Sequence, residues 1–125
     1  MGGQNTAACA NATTPAPIPT TNICPAGWRL PTGGSSGEFK ILNNSINNGI
    51  TTSDVGLISS PWLGQRGGYW SGSFVEQESA GYYFSSTLDS NIYAYGLSYS
   101  DKAIKVEDND NGRKDYGRPI RCVTQ

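Results

Sequence analysis

The chain has 125 residues, 9 basic and 10 acidic side chains, a net charge of −1 and no histidine. One domain is the natural count for that length. The missing histidine excludes Ser-His-Asp and Cys-His catalysis and histidine-bearing zinc sites, and a near-zero charge without a basic stripe argues against a nucleic-acid partner.

Composition adds two constraints. No run of 18 apolar residues exists, so nothing reads as a membrane-spanning helix. The 16 Gly and 7 Tyr, with only 15% charged residues, suit short strands and turns better than a helical bundle.

Residues 1–22 are rich in Asn, Thr, Ala and Pro, and Pro15, Pro17 and Pro19 alternate. That pattern favours extended polyproline-like backbone, so the stretch reads as a flexible tail or linker. Cys9 lies inside it and reads as a free or non-specifically paired thiol, the sharper alternatives being a bond to an upstream partner or a lipid-attachment cysteine. Residues 23–125 form the domain. Ile23, Trp28 and Leu30 sit in a segment broken by Pro25 and Pro31. A short strand and tight turn are expected there, with Trp28 as a core anchor. Cys24 here and Cys122 near the other end are expected to form a disulfide, closing a loop of about a hundred residues. On the chain-entropy view such a bond contributes about 4–5 kcal/mol and places the chain in an oxidising compartment.

Ser35-Ser36-Gly37-Glu38 reads as a capping box, with Ser35 as N-cap. Phe39, Leu42 and Ile46 then recur at helical spacing, and Gly49 suits a left-handed stop. A second helical turn starts weakly at 51–54, and 57–63 reads as irregular. Strands are expected at 69–74, 81–87, 93–99 and 103–106, with a closing strand through Ile120, Cys122 and Val123. On the third of these, Tyr93, Tyr95, Leu97 and Tyr99 share one side. Leu97 and some tyrosines should face the core, leaving Ala94, Gly96 and Ser98 toward solvent or a neighbouring strand. One helical region followed by an antiparallel meander makes the fold class α+β.

Several of these stretches together carry a resemblance. Cys-Pro-Ala-Gly-Trp-Arg-Leu-Pro-Thr at 24–32 is followed by Glu38-Phe39, Tyr-Trp-Ser-Gly-Ser at 69–73, Phe-Ser-Ser-Thr at 84–87 and Tyr-Ala-Tyr at 93–95. Arg113, Gly117 and Ile-Arg-Cys-Val at 120–123 complete the set. In order and spacing this resembles the bacterial surface domain known as the Fibrobacter succinogenes major paralogous domain, over nearly all of the chain after residue 22. The resemblance implies a C-type-lectin-like fold of the formylglycine-generating-enzyme type, with one or two helices on a small antiparallel sheet, termini close together and a variable loop-rich face. It extends to the variable proteins of diversity-generating retroelements, whose C-terminal part is hypervariable and binds ligand. Phe84 stands where Trp is usual, and Arg118-Pro119-Ile120 replaces a commoner Gly-Phe-Ser-Val run.

No catalytic constellation assembles. The oxygenase relatives of this fold use a cysteine pair, but Cys122 is committed to the expected disulfide, so no enzymatic activity is expected. Glu107 to Gly112 offers oxygen ligands at alternate positions, as calcium loops do, but lacks the downstream bidentate Glu. It reads as a solvated turn, and no metal or other cofactor is expected. Asn11-Ala12-Thr13 and Asn43-Asn44-Ser45 fit glycosylation sequons, the second on a predicted helix. The ligand-contact residues are placed on the 86–116 face: Leu88, Asp89, Asn91, Ile92, Ser98, Ser100, Asp101, Lys102, Asp108, Asn109, Asp110, Asn111 and Arg113. The expectation is a secreted or cell-surface binding module for a protein or glycan ligand. The alternative is a structural or tip subunit of a pilus or adhesive filament.

Overall fold

A computed structural model describes residues 23–90, 92–108 and 112–124. The tail at 1–22 and its Cys9 lie outside them. The described chain is α+β, in the order β1 (Trp28–Arg29), α1 (Glu38–Asn47), α2 (Val55–Ile58), β2 (Tyr69–Trp70), β3 (Phe74–Val75), β4 (Ala80–Leu88), β5 (Ala94–Ser100), β6 (Ile104–Asp108) and β7 (Val123–Thr124).

The two ends of the domain meet. β1 and β7 pair antiparallel, with Trp28 opposite Thr124 and Arg29 opposite Val123. Beside this ribbon Cys24 and Cys122 are disulfide-bonded, with Cα atoms 5.8 Å apart. The turn into β1 needs Gly27, whose φ is +80°, and closes when Trp28 N–H donates to the Pro25 carbonyl. Trp28 is not the core anchor its size suggests, since it stays 43% exposed at the ribbon edge. A two-stranded ribbon has an outer face, and Trp28 lies on it.

Helix α1 follows the apolar pattern at Phe39, Leu42 and Ile46. Phe39 is buried, and the other two pack half-buried against the core. Its start differs from the expected capping box. Gly37 is the N-cap, without a side-chain cap. Instead Thr32, further upstream, closes the box: its Oγ1 accepts from Glu38 N–H at 3.0 Å, while Glu38 Oε2 accepts from Thr32 N–H at 2.8 Å. The same carboxylate takes both ends of the Arg29 guanidinium, at 2.6 and 2.8 Å. Glu38 thus ties β1 to the helix. The helix ends at Asn48, which is left-handed at φ 52°, with Gly49 following at φ 70°.

Asn43 is fully buried and Asn47 nearly so. Asn47 Nδ2 donates to Asn43 Oδ1 and to the carbonyls of Ile50 and Ser53, while its Oδ1 accepts from Gly56 N–H. One amide thereby organises the whole turn between the helices, and burial removes the Asn43 sequon from glycosylation. Of the 57–63 stretch only Leu57 and Ile58 are regular: they end α2 (Val55–Ile58), which seals Leu57 into the core, and 59–63 is irregular as expected.

The main sheet is β4-β5-β6, all antiparallel. Phe39, Leu57, Trp62, Tyr83, Leu97, Tyr99, Ile104 and Val106 form one core on its helix side. The core tyrosines keep their hydroxyls partnered: Tyr99 donates to the Gln65 carbonyl at 2.9 Å, and Tyr83 accepts from Gln65 N–H at 3.1 Å. β5 carries Leu97 and Tyr99 inward, as alternation requires. Its other side is also covered, because Ala94 and Gly96 lie under the 112–119 segment. A Cβ on Gly96 would sit 2.7 Å from Arg118 Nη1, and one on Gly112 would sit 2.0 Å from the Ala94 carbonyl oxygen.

The expected strand at 69–74 is instead a hairpin. β2 and β3 pair with Tyr69 opposite Val75 and Trp70 opposite Phe74, around a turn in which Gly72 has φ 96°. The closing strand is also shorter than expected, reduced to Val123–Thr124. Among the described residues, no helix is long and apolar enough to cross a membrane.

Candidate functional site

One end of the main sheet gathers the best-placed surface. The β4–β5 turn and the 112–117 loop are laced together there. Lys114 N–H donates to the Ile92 carbonyl at 3.0 Å, Ala94 N–H donates to the Gly112 carbonyl at 2.9 Å, and Tyr93 bridges Arg113. The turn is itself internally bonded. The N–H groups of Asp89 and Ser90 both reach the Tyr93 carbonyl, and Ser90 Oγ accepts from the N–H groups of Ile92 and Tyr93.

Leu88, Asp89, Ile92 and Arg113 belong to these two joined segments. Leu88 closes β4 and is half-buried, whereas Asp89 and Ile92 are exposed. A hydrogen bond with the Asp89 carboxylate holds the Tyr95 hydroxyl pKa above its usual value. Arg113 is half-exposed and grips Asp115 with two bonds, at 3.0 and 2.8 Å. That bond, and then the charge behind it, keep the Asp115 carboxyl below the usual carboxylate range.

Beneath the loop runs a stack of rings and guanidinium groups. Arg113 lies 5.6 Å over the Tyr116 ring, Tyr116 stacks on Tyr69 at 5.4 Å, and Tyr69 meets Tyr82 edge-on at 4.9 Å. Arg118 then sits 5.0 Å over Tyr82 and 5.2 Å over Phe84. Each cation–ring or ring–ring step contributes roughly 0.5–1.5 kcal/mol. The stack joins the half-exposed Arg113 to the buried Arg118 through Tyr69 of the hairpin. Burial, and then a hydrogen bond to Glu76, push the Tyr82 hydroxyl pKa well up.

The remaining nominated residues fall elsewhere. Ser98 lies half-buried within β5, opposite Tyr82 and Lys105. Ser100, Asp101 and Lys102 form the β5–β6 turn, where Ser100 Oγ accepts from the N–H groups of Lys102 and Ala103. β5 is seven residues long, so this turn stands about 20 Å along the strand from the 88–93 turn. Asp108 is not a surface ligand group. It is 1% exposed, and its Oδ2 accepts from Arg118 Nη2 at 3.3 Å inside the fold. The pattern 107–112 looks solvated because it is acidic, yet Asp108 lies opposite Gly96, on the side of the sheet that the 112–119 segment covers, and meets the buried Arg118 there. Asn91, Asn109, Asp110 and Asn111 lie outside the described residues.

Two exposed aromatics escaped the sequence reading. Trp70 and Phe74 face each other across the hairpin, with centroids 5.0 Å apart and planes at 76°. Gly72 was the available signal, since a glycine inside a strand pattern often marks a turn. Among the described residues no group of three or more Cys, Asp and Glu side chains is arranged to hold a metal ion. No protein-family model, curated protein or solved structure matches the chain.

Proposed function

We propose that this chain is a secreted or surface-displayed ligand-binding module, that its fold is C-type-lectin-like, and that it engages a protein or glycan through the end of the sheet built by the 88–93 turn and the 112–117 loop. The observation that carries the reading is the lacing of these two segments over the Arg113–Tyr116–Tyr69–Tyr82–Arg118 stack. A surface held this way loses little ordering entropy when a partner docks. Asp89, Ile92 and Arg113 would then make the contacts: an acidic group, an apolar group and a planar cation close together.

The disulfide and the β1–β7 ribbon support the same reading, because they tie the two ends of the domain together and hold fixed the scaffold between them. The exposed side chains of Asp89 and Ile92 lie outside that anchor, as the varied positions of a diversity-generating retroelement's variable protein would. A template repeat would test that last point: a near-copy of the 86–123 coding region beside a reverse-transcriptase gene, differing mainly at adenines. The binding claim itself is tested by probing an array of glycans and bacterial surface proteins with the purified chain. Selective capture supports it, and a blank array across both classes counts against it.

A further inference from the structure

We infer that the Trp70–Phe74 corner of the β2–β3 hairpin is a second contact site, and that it takes a neutral saccharide ring. The inference rests on the proposed binding role but uses residues outside the 88–117 surface.

Pairing of Trp70 with Phe74 puts both rings on one face of the hairpin, while Tyr69 and Val75 point to the other. The inner pair belongs to the fold, since Tyr69 stacks between Tyr82 and Tyr116. The outer pair does not: Trp70 is 45% and Phe74 65% exposed. Their planes meet at 76° in an edge-to-face contact, and the ring surface left outside that contact forms an exposed corner. The corner is held rigidly. Trp70 exchanges two backbone hydrogen bonds with Gly117, at 2.7 and 2.9 Å, and a Cβ on Gly117 would come within 3.1 Å of the Trp70 Cβ. Below it, the hairpin is anchored by the tyrosine stack.

Size and charge select the ligand. Taking 150–250 Å² per aromatic residue, the two exposed fractions leave roughly 200 Å² of their surface open. A specific protein partner needs about 800 Å² on each side, so this corner alone is too small for one. One or two sugar rings fit it. Residues 69–75 carry no charged side chain. The nearby Glu76 carboxylate accepts the Tyr82 hydroxyl. The polar groups at the rim are the exposed hydroxyls of Ser71 and Ser73. A sugar presents the complementary chemistry: a face of weakly positive C–H groups for the negative face of an aromatic ring, and a rim of hydroxyls that donate to and accept from serine. An ionic ligand would find no counter-charge on the hairpin.

The test is titration of the whole chain with neutral pentasaccharides of β-linked glucose, xylose, mannose and N-acetylglucosamine, followed by tryptophan fluorescence and calorimetry. One of these should bind and shift the emission. Trp70→Ala and Phe74→Ala should each weaken binding by about tenfold, the size of one ring contact, with Trp70→Phe retaining part of it. Unfolding midpoints of the variants verify that the fold persists. Asp101→Ala and Lys102→Ala, in the β5–β6 turn, should leave saccharide binding unchanged. If no saccharide binds while a captured protein ligand depends on Asp89 and Ile92, the corner site is overturned and the binding role stands. If saccharide binding survives Trp70→Ala in folded protein, or only a proline-rich peptide binds the corner, the inference is also overturned. If saccharide binding at Trp70 is found and the 88–117 surface captures nothing, the corner site stands and the other reading falls.

Discussion

Arg118 and Asp108 form an ion pair at 3.3 Å with both side chains fully sealed from solvent. Among the described residues Arg118 Nε and Nη1 and Asp108 Oδ1 have no hydrogen-bond partner, and burial lowers the Arg118 pKa against the pull of Asp108. A pair so placed is expensive to break and weakly stabilising in itself, because both charges have lost their hydration. Asp108→Ala should therefore destabilise the domain by about 3–5 kcal/mol, since it leaves a buried cation alone. The double variant Asp108→Leu/Arg118→Met should recover most of that loss. Urea unfolding of the three proteins checks both statements.

The closed outer side of β5 gives a second expectation. Gly96 lies between Arg118 Nη1, 2.7 Å from an added Cβ, and the Tyr83 carbonyl oxygen, also at 2.7 Å. A methyl group there must displace backbone or the buried guanidinium. Gly96→Ala should lower stability by about 1–3 kcal/mol, as overpacking does. Gly67→Ala is the control, because the nearest atom to its Cβ is Pro119 Cγ at 3.6 Å, an ordinary contact. Thermal unfolding of the two variants separates the outcomes.

Acid should loosen the junction of β1 and α1. The Glu38 carboxyl is lowered from its usual 4.5 to about 2, first by the Arg29 hydrogen bond, opposed by desolvation and aided by Thr32 N–H. Because the folded value lies below the unfolded one, the contribution is present above pH 4.5 and is lost as pH falls toward about 2. The pair is partly open to solvent, so its worth is about 1 kcal/mol rather than the full shift. Glu38→Gln should be less stable than the parent at pH 7 by that amount and should show a flatter stability profile between pH 4.5 and 2. Denaturant unfolding along a pH series measures both.

Covalent closure of the domain predicts a thiol count and a stability change. Of the three cysteines, Cys24 and Cys122 are bonded, so denatured, unreduced protein should titrate as one thiol per chain. A count of three would remove the bond. Replacing both partners by serine should reduce stability by about 2–5 kcal/mol, measured by calorimetry.

Local patterns were legible in the sequence. The 3–4 spacing of Phe39, Leu42 and Ile46 announces α1, and the alternation around Leu97 and Tyr99 announces β5, because each depends on neighbours within a few residues. What escaped depends on distant segments. Trp28 was misplaced because a large aromatic tends to be buried but its sequence does not say which face of a ribbon it occupies. The helix cap came from Thr32 rather than Ser35, through a loop that brings a hydroxyl back from six residues away. Ala94 and Gly96 looked like an outer face, and only the return of 112–119 covers them. The surface set was half legible for the same reason. Leu88, Asp89, Ile92 and Arg113 lie on two backbone-joined segments, whereas the 100–102 turn stands at the opposite end of the strand and Asp108 is buried against Arg118.

The most direct measurement of the proposed role compares the two ends of β5 in one binding experiment. Once the array yields a captured ligand, surface plasmon resonance is run on the parent chain, on Asp89→Ala, Ile92→Ala and Arg113→Ala, and on Asp101→Ala and Lys102→Ala. Contact residues near the centre of an interface lose about 1–3 kcal/mol, or roughly tenfold to a hundredfold in affinity, on truncation. The prediction is a loss of that size at Asp89, Ile92 or Arg113 with Asp101 and Lys102 silent. Unchanged affinity in all three variants of the first group, or losses confined to Asp101 and Lys102, would contradict it.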